Sequence, residues 1–279
     1  MPIVSLICLL LLFPAVGYGF EARGMQTPES IIVDPATGIY YVSNINGDPS
    51  AKNNAGFIAK LGPSGKPIDL NFIMGGKDQV DLNAPKGMAI SGKDLYVADI
   101  DVVQRFDKNT GYLLGTIDLK LIGALSLKDV AVDPKGNIYV SDPKGNAIYQ
   151  IAPARSFQIT IFAKGPKLEN PNGLVYDPTF KRLLVWGSGK ILSIDMNGKP
   201  MILVNKQFSD LDGICFDRNG NLLASSFAEG KIYRIKKHSI VEVIKEHILT
   251  PAGISFDYKN NQILIPSLRG NLVFTHPLE

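Results

Sequence analysis

Three features of the sequence predict an all-β fold, a six-bladed β-propeller. A short phrase returns six times, as Pro28-Glu29-Ser30, Pro85-Lys86-Gly87, Leu127-Lys128-Asp129, Pro171-Asn172-Gly173, Leu211-Asp212-Gly213 and Pro251-Ala252-Gly253. An apolar strand follows every copy and reaches Asp34, Asp133, Asp177, Asp217 or Asp257, with Ser91 in the second copy. The copies stand 57, 42, 44, 40 and 40 residues apart. A period of about 40–45 residues built of short strands is that of one four-stranded propeller blade. A blade cannot bury both faces without neighbours, so the six copies belong to one ring and not to separate domains.

Residues 1–19 are a different material. Ile3 to Val16 is almost wholly apolar, and Gly17-Tyr18-Gly19 follows. About 14 apolar residues fall short of the roughly 20 that span a bilayer. The stretch reads as a secretory signal cleaved before Phe20, although no Lys or Arg precedes the apolar run. The protein is therefore expected to be exported, periplasmic or secreted. Residues 20–279 would be the mature propeller, free of the membrane after cleavage; an uncleaved N-terminal anchor is the alternative. Cys8 stands too early for a lipoprotein cysteine. That leaves Cys215 as the mature chain's single thiol, in an apolar strand near the axis where it reads as a small buried hydrophobe.

The third repeat shows how a blade is written. Val130-Ala131-Val132 is the innermost strand, and Asp133-Pro134-Lys135-Gly136-Asn137 supplies a tight turn. Ile138 to Ser141 alternates with period two as the second strand, and Asp142 to Asn146 turns again. Ala147 to Ile151 and Phe157 to Phe162 are the third and fourth strands. Aligned second strands give one apolar column of Tyr40, Leu95, Ile138, Leu183, Leu222 and Ile263. A second column holds Val42, Val97, Val140, Val185, Ala224 and Ile265. Such columns are what blade-on-blade packing needs, and Trp186 reads as packing too. The last repeat ends after its third strand, so Phe20 to Met25 is expected to complete blade six and close the ring.

Antiparallel connectivity places the start of strand one and the end of strand two on the same face. The openers then form an inner ring of Glu29, Lys86, Lys128, Asn172, Asp212 and Ala252. The enders form an outer ring of Asn44, Asp99, Asp142, Gly187, Ser226 and Ser267. Charges gathered at the mouth of an axial channel are the default site. The long polar loop from Asn46 to Gly56 in repeat one belongs to the same face, as a lid or as a tolerated insertion.

A formal net charge of +3 on 279 residues, with no run of like charges, argues against nucleic acid as a partner. Phosphate-binding and nucleophile-elbow motifs are absent, and His238, His247 and His276 lie outside both rings. That placement speaks against zinc or histidine-based nucleophilic chemistry.

The Pro-x-Gly phrase, apolar strand and Asp resemble the repeats of six-bladed NHL propellers across the whole mature chain. The chain also resembles the gluconolactonase and senescence-marker-protein family. That resemblance implies a divalent cation on the axis, held by a Glu of blade one, an Asn of blade four and an Asp of blade five. The matching residues are Glu29, Asn172 and Asp212. Oxygen ligands of this kind suit Ca²⁺ or Mg²⁺, and Asp212 would be the candidate base of a lactonase-type hydrolase. The chain departs from the family in blade three, where Ser126 stands for an Arg and Lys128 for an Asn. An ammonium aimed at a cation site repels the ion.

Two readings follow. The first is a monomeric propeller that binds a small molecule or peptide at the channel mouth, through Asn44, Lys86, Asp99, Lys128 and Asp142. The second is a metal-dependent hydrolase using Glu29, Asn172 and Asp212. Lys128 discriminates between them: pairing with Glu29 or Asp212 favours the binder. A scaffold that uses the outer blade edges is a third class, on which the sequence is silent.

Overall fold

The structure, a computed structural model, describes residues 19–187, 189–206 and 208–278. The expected secretory segment, apart from Gly19, lies outside them. The described strands gather into six four-stranded antiparallel sheets, one per repeat. Blade one comprises Pro28–Val33, Tyr40–Asn44, Phe57–Leu61 and Pro67–Met74; blade three comprises Val130–Val132, Ile138–Asp142, Ala147–Ala152 and Gln158–Lys164. The other blades repeat this order from the axis outwards, and short 3-10 turns are the described helical segments.

Ring closure follows the expectation. Glu21–Arg23 pairs antiparallel with Leu272–Pro277, in the register Glu21 to Phe274, Ala22 to Val273 and Arg23 to Leu272. Phe20 extends the seam, since its amide donates to Thr275 Oγ1 at 2.9 Å and its ring packs 5.0 Å from that of Tyr40. Blade six is thereby completed by the N-terminal strand, which removes the open edges. Both apolar columns are buried, and the clusters they build run between neighbouring blades, as where Tyr41 and Ile58 of blade one meet Leu95 and Val97 of blade two.

The recurring residues now have physical reasons. The Asp that ends strand one caps the following turn: Asp133 Oδ1 accepts the amides of Lys135 and Asn137, and Asp217 Oδ1 those of Asn219 and Asn221. The Gly of the opening phrase reflects close approach at the axis. A Cβ on Gly173 would lie 2.1 Å from the Asp212 carbonyl oxygen, and one on Gly213 would lie 2.2 Å from the Ile254 amide nitrogen. A serine near the end of strand two ties odd blades to even ones. Ser43, Ser141 and Ser225 donate to the carbonyls of Lys86, Asn172 and Ala252 at 2.6–2.7 Å. These three carbonyls belong to inner-ring openers, so blade docking also sets the spacing of that ring.

Candidate functional site

Glu29, Lys86 and Asp212 each sit at an irregularity in the pairing of strands one and two. The register shifts between Pro28 and Ser30, between Pro85 and Met88, and between Leu211 and Ile214. A bulge turns its extra residue out of the alternating pattern. The ring then brings together side chains that are distant in sequence. Lys128 Nζ donates to Glu29 Oε1 in a short contact and stands 3.2 Å from both carboxylate oxygens of Asp212. The side chains of Glu29, Asp212 and Lys128 are 2%, 10% and 18% exposed. The Lys128 ammonium thus bridges the acids of blades one and five.

The electrostatics of this cluster follow from burial. Burial pushes the pKa of the Glu29 carboxyl above the ordinary range, with Lys128 pulling against the rise and the negative Asp212 adding to it. Lys128 is the reverse: burial disfavours its charge, yet the two carboxylates outweigh that and raise it above the ordinary lysine range. It therefore stays cationic at any physiological pH.

Beside this triad, Lys86 is buried and its ammonium donates to the Pro49 carbonyl at 3.3 Å. Burial lowers its pKa, with Glu29 partly offsetting the loss. Pro49 belongs to the long loop of blade one, which is strapped over this sector. Lys52 pairs with Asp101 at 2.6 Å, and the Asn54 amide donates to Asn83 Oδ1 at 3.0 Å. Asn172 is bound through its backbone to Trp186 and Ser141, while its buried side-chain oxygen Oδ1 has no partner.

The expected outer ring is engaged elsewhere. Asp99 accepts the amides of Asn83 and Ala84 at 2.8 and 2.7 Å. Asp142 accepts those of Leu125, Ser126 and Gly145 at 2.8–3.0 Å, and Asn44 Oδ1 that of Gln26 at 2.9 Å. Ser226 and Ser267 donate to the carbonyls of Ser209 and Leu249. Each of these five side chains clamps the loop that enters the first strand of its own blade. They hold the openers in place and are not gathered with them.

Sequence reasoning passed over Asp129, the residue after Lys128. Its carboxylate accepts the Leu174 and Val130 amides at 2.8 Å, and burial raises its pKa to about 6. Asp129 and Cys215 line an axial cavity of about 290 Å³, walled otherwise by strand-one residues such as Ile32, Ile90 and Tyr176. The signal was present in the opening phrase, where the third repeat carries Asp and the other five copies carry Gly or Ser. Cys215 is buried as expected, and burial raises its thiol well above the ordinary range.

The residues do not fit a divalent ion as they stand. An ion bound by both Glu29 and Asp212 would occupy the position of the Lys128 nitrogen, and two cations cannot share that contact. Among the described residues no group of three or more His, Cys, Asp or Glu side chains is arranged to hold a metal.

The chain superposes on a gluconolactonase from Xanthomonas campestris with a TM-score of 0.71 at 18% identity, over 92% of this chain and 88% of that one. It matches the calcium-binding protein regucalcin from Agrobacterium tumefaciens at 0.66 and 17%, over 90% of each chain. Virginiamycin B lyase from Staphylococcus aureus matches at 0.67 and 17%, over 94% and 99%. The fold is theirs. In sequence, the chain is 29% identical over 72 residues to lactonase drp35 of Staphylococcus saprophyticus, a match spanning 25% of this chain and 22% of that protein. No family model matches the chain.

Proposed function

We propose that this lactonase-type propeller is an exported, monomeric binding protein for a small molecule or peptide, and that an internal ammonium holds its axial site in place of a divalent metal. The observation that carries this reading is the bridge from Lys128 to Glu29 and Asp212. Two buried carboxylates need a compensating charge, and Lys128 supplies it without an ion. Lys86 is then the group offered to a ligand. It is a buried cation with one long hydrogen bond, to a loop carbonyl that an acidic group could displace. Export rests on the apolar opening segment.

The metal-dependent lactonase reading keeps one observation in its favour: the unpartnered Asn172 Oδ1 is an oxygen that an ion could take up. It requires Lys128 to leave the acids. Thermal unfolding with and without millimolar Ca²⁺, Mg²⁺ or Mn²⁺ separates the two readings. Saturation at 100 times Kd adds about 2.7 kcal/mol to the folded state. No shift with any ion, together with no turnover of a lactone panel, is the expected result. A shift abolished by Asp212→Ala would overturn the proposal and establish the hydrolase-type site.

A further inference from the structure

The turns that follow the first strands of blades four, five and six lie on the face opposite Lys128. Between them is a cavity of about 420 Å³, within the range of small-molecule sites. Three aromatic rings wall it: Phe180, Phe216 and Tyr258. Phe180 and Tyr258 are 65% and 55% exposed, even though Arg182 covers one face of Phe180 and Tyr258 meets Phe256 edge-on. Such rings present faces on which a planar ligand can stack.

The charges around the cavity do not balance. Asp177 accepts the turn amides of Thr179 and Phe180 and pairs with Arg182 at 2.9 Å, while Asp217 pairs with Arg234 at 3.3 Å. Both carboxylates are thus neutralised within the protein. Arg218, in contrast, donates only to the carbonyls of Tyr258 and Lys259. Among the described residues neither Arg218 nor Lys237 forms an ion pair, so two cations of the lining are left over.

The backbone adds a third observation. Lys237 and His238 are the two central residues of the hairpin turn closed by the Ser239 amide on the Lys236 carbonyl, and both have positive φ, 49° and 56°. Such a primed turn favours Asn-Gly, and side chains like these adopt it only under strain. The conformation sets both side chains on the cavity, where the buried His238 Nδ1 has no partner. Burial and the nearby Arg182 lower the His238 pKa, which keeps the imidazole neutral and free to hydrogen-bond.

From these observations we infer a second ligand site on this face, for a planar aromatic acid whose ring stacks among Phe180, Phe216 and Tyr258 and whose carboxylate or phosphate meets Arg218 and Lys237. The inference is independent of the axial site.

Isothermal titration of the mature protein with 2-naphthoate and with 2-naphthyl phosphate tests it and separates the two head groups. Naphthalene-2-methanol, which lacks the charge, and cyclohexanecarboxylate, which lacks the ring, are the controls. We expect binding of at least one acid, at least tenfold weaker binding of both controls, and a tenfold or greater loss in Phe180→Ala, Tyr258→Ala and Lys237→Gln. Lys77→Ala, in the exposed loop between blades one and two, should leave the affinity unchanged. Phe180 and Tyr258 are exposed enough for their variants to fold, which melting curves verify. Three results would overturn the site: no binding of either acid at millimolar concentration, equal affinity in the Phe180 and Tyr258 variants, or equal affinity for the neutral alcohol.

Discussion

Replacing Lys128 by Met keeps the length and bulk of the side chain and deletes only its charge. Glu29 and Asp212, 2% and 10% exposed, would then face each other with no cation between them. Breaking a buried pair by removing one partner costs about 3–5 kcal/mol, because an uncompensated charge is left behind. At about 2–4 °C per kcal/mol for a domain of this size, the melting temperature should fall by roughly 6–20 °C at pH 7. The loss should shrink on acidification. With Lys128 gone, Glu29 loses the cation that opposes its burial, and its folded-state pKa rises further above the unfolded value. The variant's deficit is therefore smallest at low pH, where Glu29 is protonated in either state, and grows as pH rises through the interval between its unfolded and folded values. Adding Glu29→Gln and Asp212→Asn to the Met variant should restore most of the stability, since no buried charge then remains. Millimolar Ca²⁺ should raise the melting temperature of the single variant and leave the parent unchanged. A loss below about 1 kcal/mol, or one that the neutral triple variant fails to recover, would refute the claim that Lys128 balances these acids.

Other predictions address the frame and the cluster. Burial raises Asp129 from 3.8 to about 6 and Glu29 above its ordinary 4.5, so folding takes up protons between the unfolded and folded values. Stability should therefore decline as pH rises from about 4 through 6, and Glu29→Gln should flatten that slope in urea titrations. Asp142→Ala removes the acceptor of three backbone amides and should cost at least about 2 kcal/mol in the same assay. Gly173→Ala drives a methyl into the Asp212 carbonyl oxygen and should cost roughly 1–3 kcal/mol, as overpacking does. A chain beginning at Thr27 lacks the closing strand, and light scattering should show it associating through the exposed edge of Leu272–Pro277, where a chain of residues 20–279 does not.

The fold could be read from the sequence because a propeller repeats its constraints. Each copy must carry a short apolar first strand, a turn capped by Asp and a second strand of alternating pattern, and a signal given six times survives the departure of single copies such as Ser91. Even the closing strand was legible, since the last repeat visibly lacks its fourth member. The inner ring followed from connectivity alone: an opener must lie near the axis whatever its side chain does. What could not be read was the use of the outer ring. Asp99, Asp142 and Asn44 share a face with the openers, and a polar residue on that face looks the same whether it meets a ligand or a neighbouring loop. Only the path of the loops, which carry no periodic signal, puts the amides of Asn83, Leu125 and Gln26 within reach of those side chains.

The triad shows the same limit from the other side. Lys128 is 99 residues from Glu29 and 84 from Asp212. Nothing local in the sequence records that an ammonium from blade three reaches the acids of blades one and five. Ring geometry does, since strands at the axis converge on a space a few side chains wide. In such a space the sum of charges is constrained more tightly than the identity of any one residue. Two acids facing inward require a cation, and a lysine on a third blade meets the requirement without any ligand. The departure at Lys128 is therefore more informative than the matches at Glu29, Asn172 and Asp212. Three oxygen donors suit a metal site, whereas an ammonium paired with both Glu29 and Asp212 takes the place that an ion shared by those acids would need.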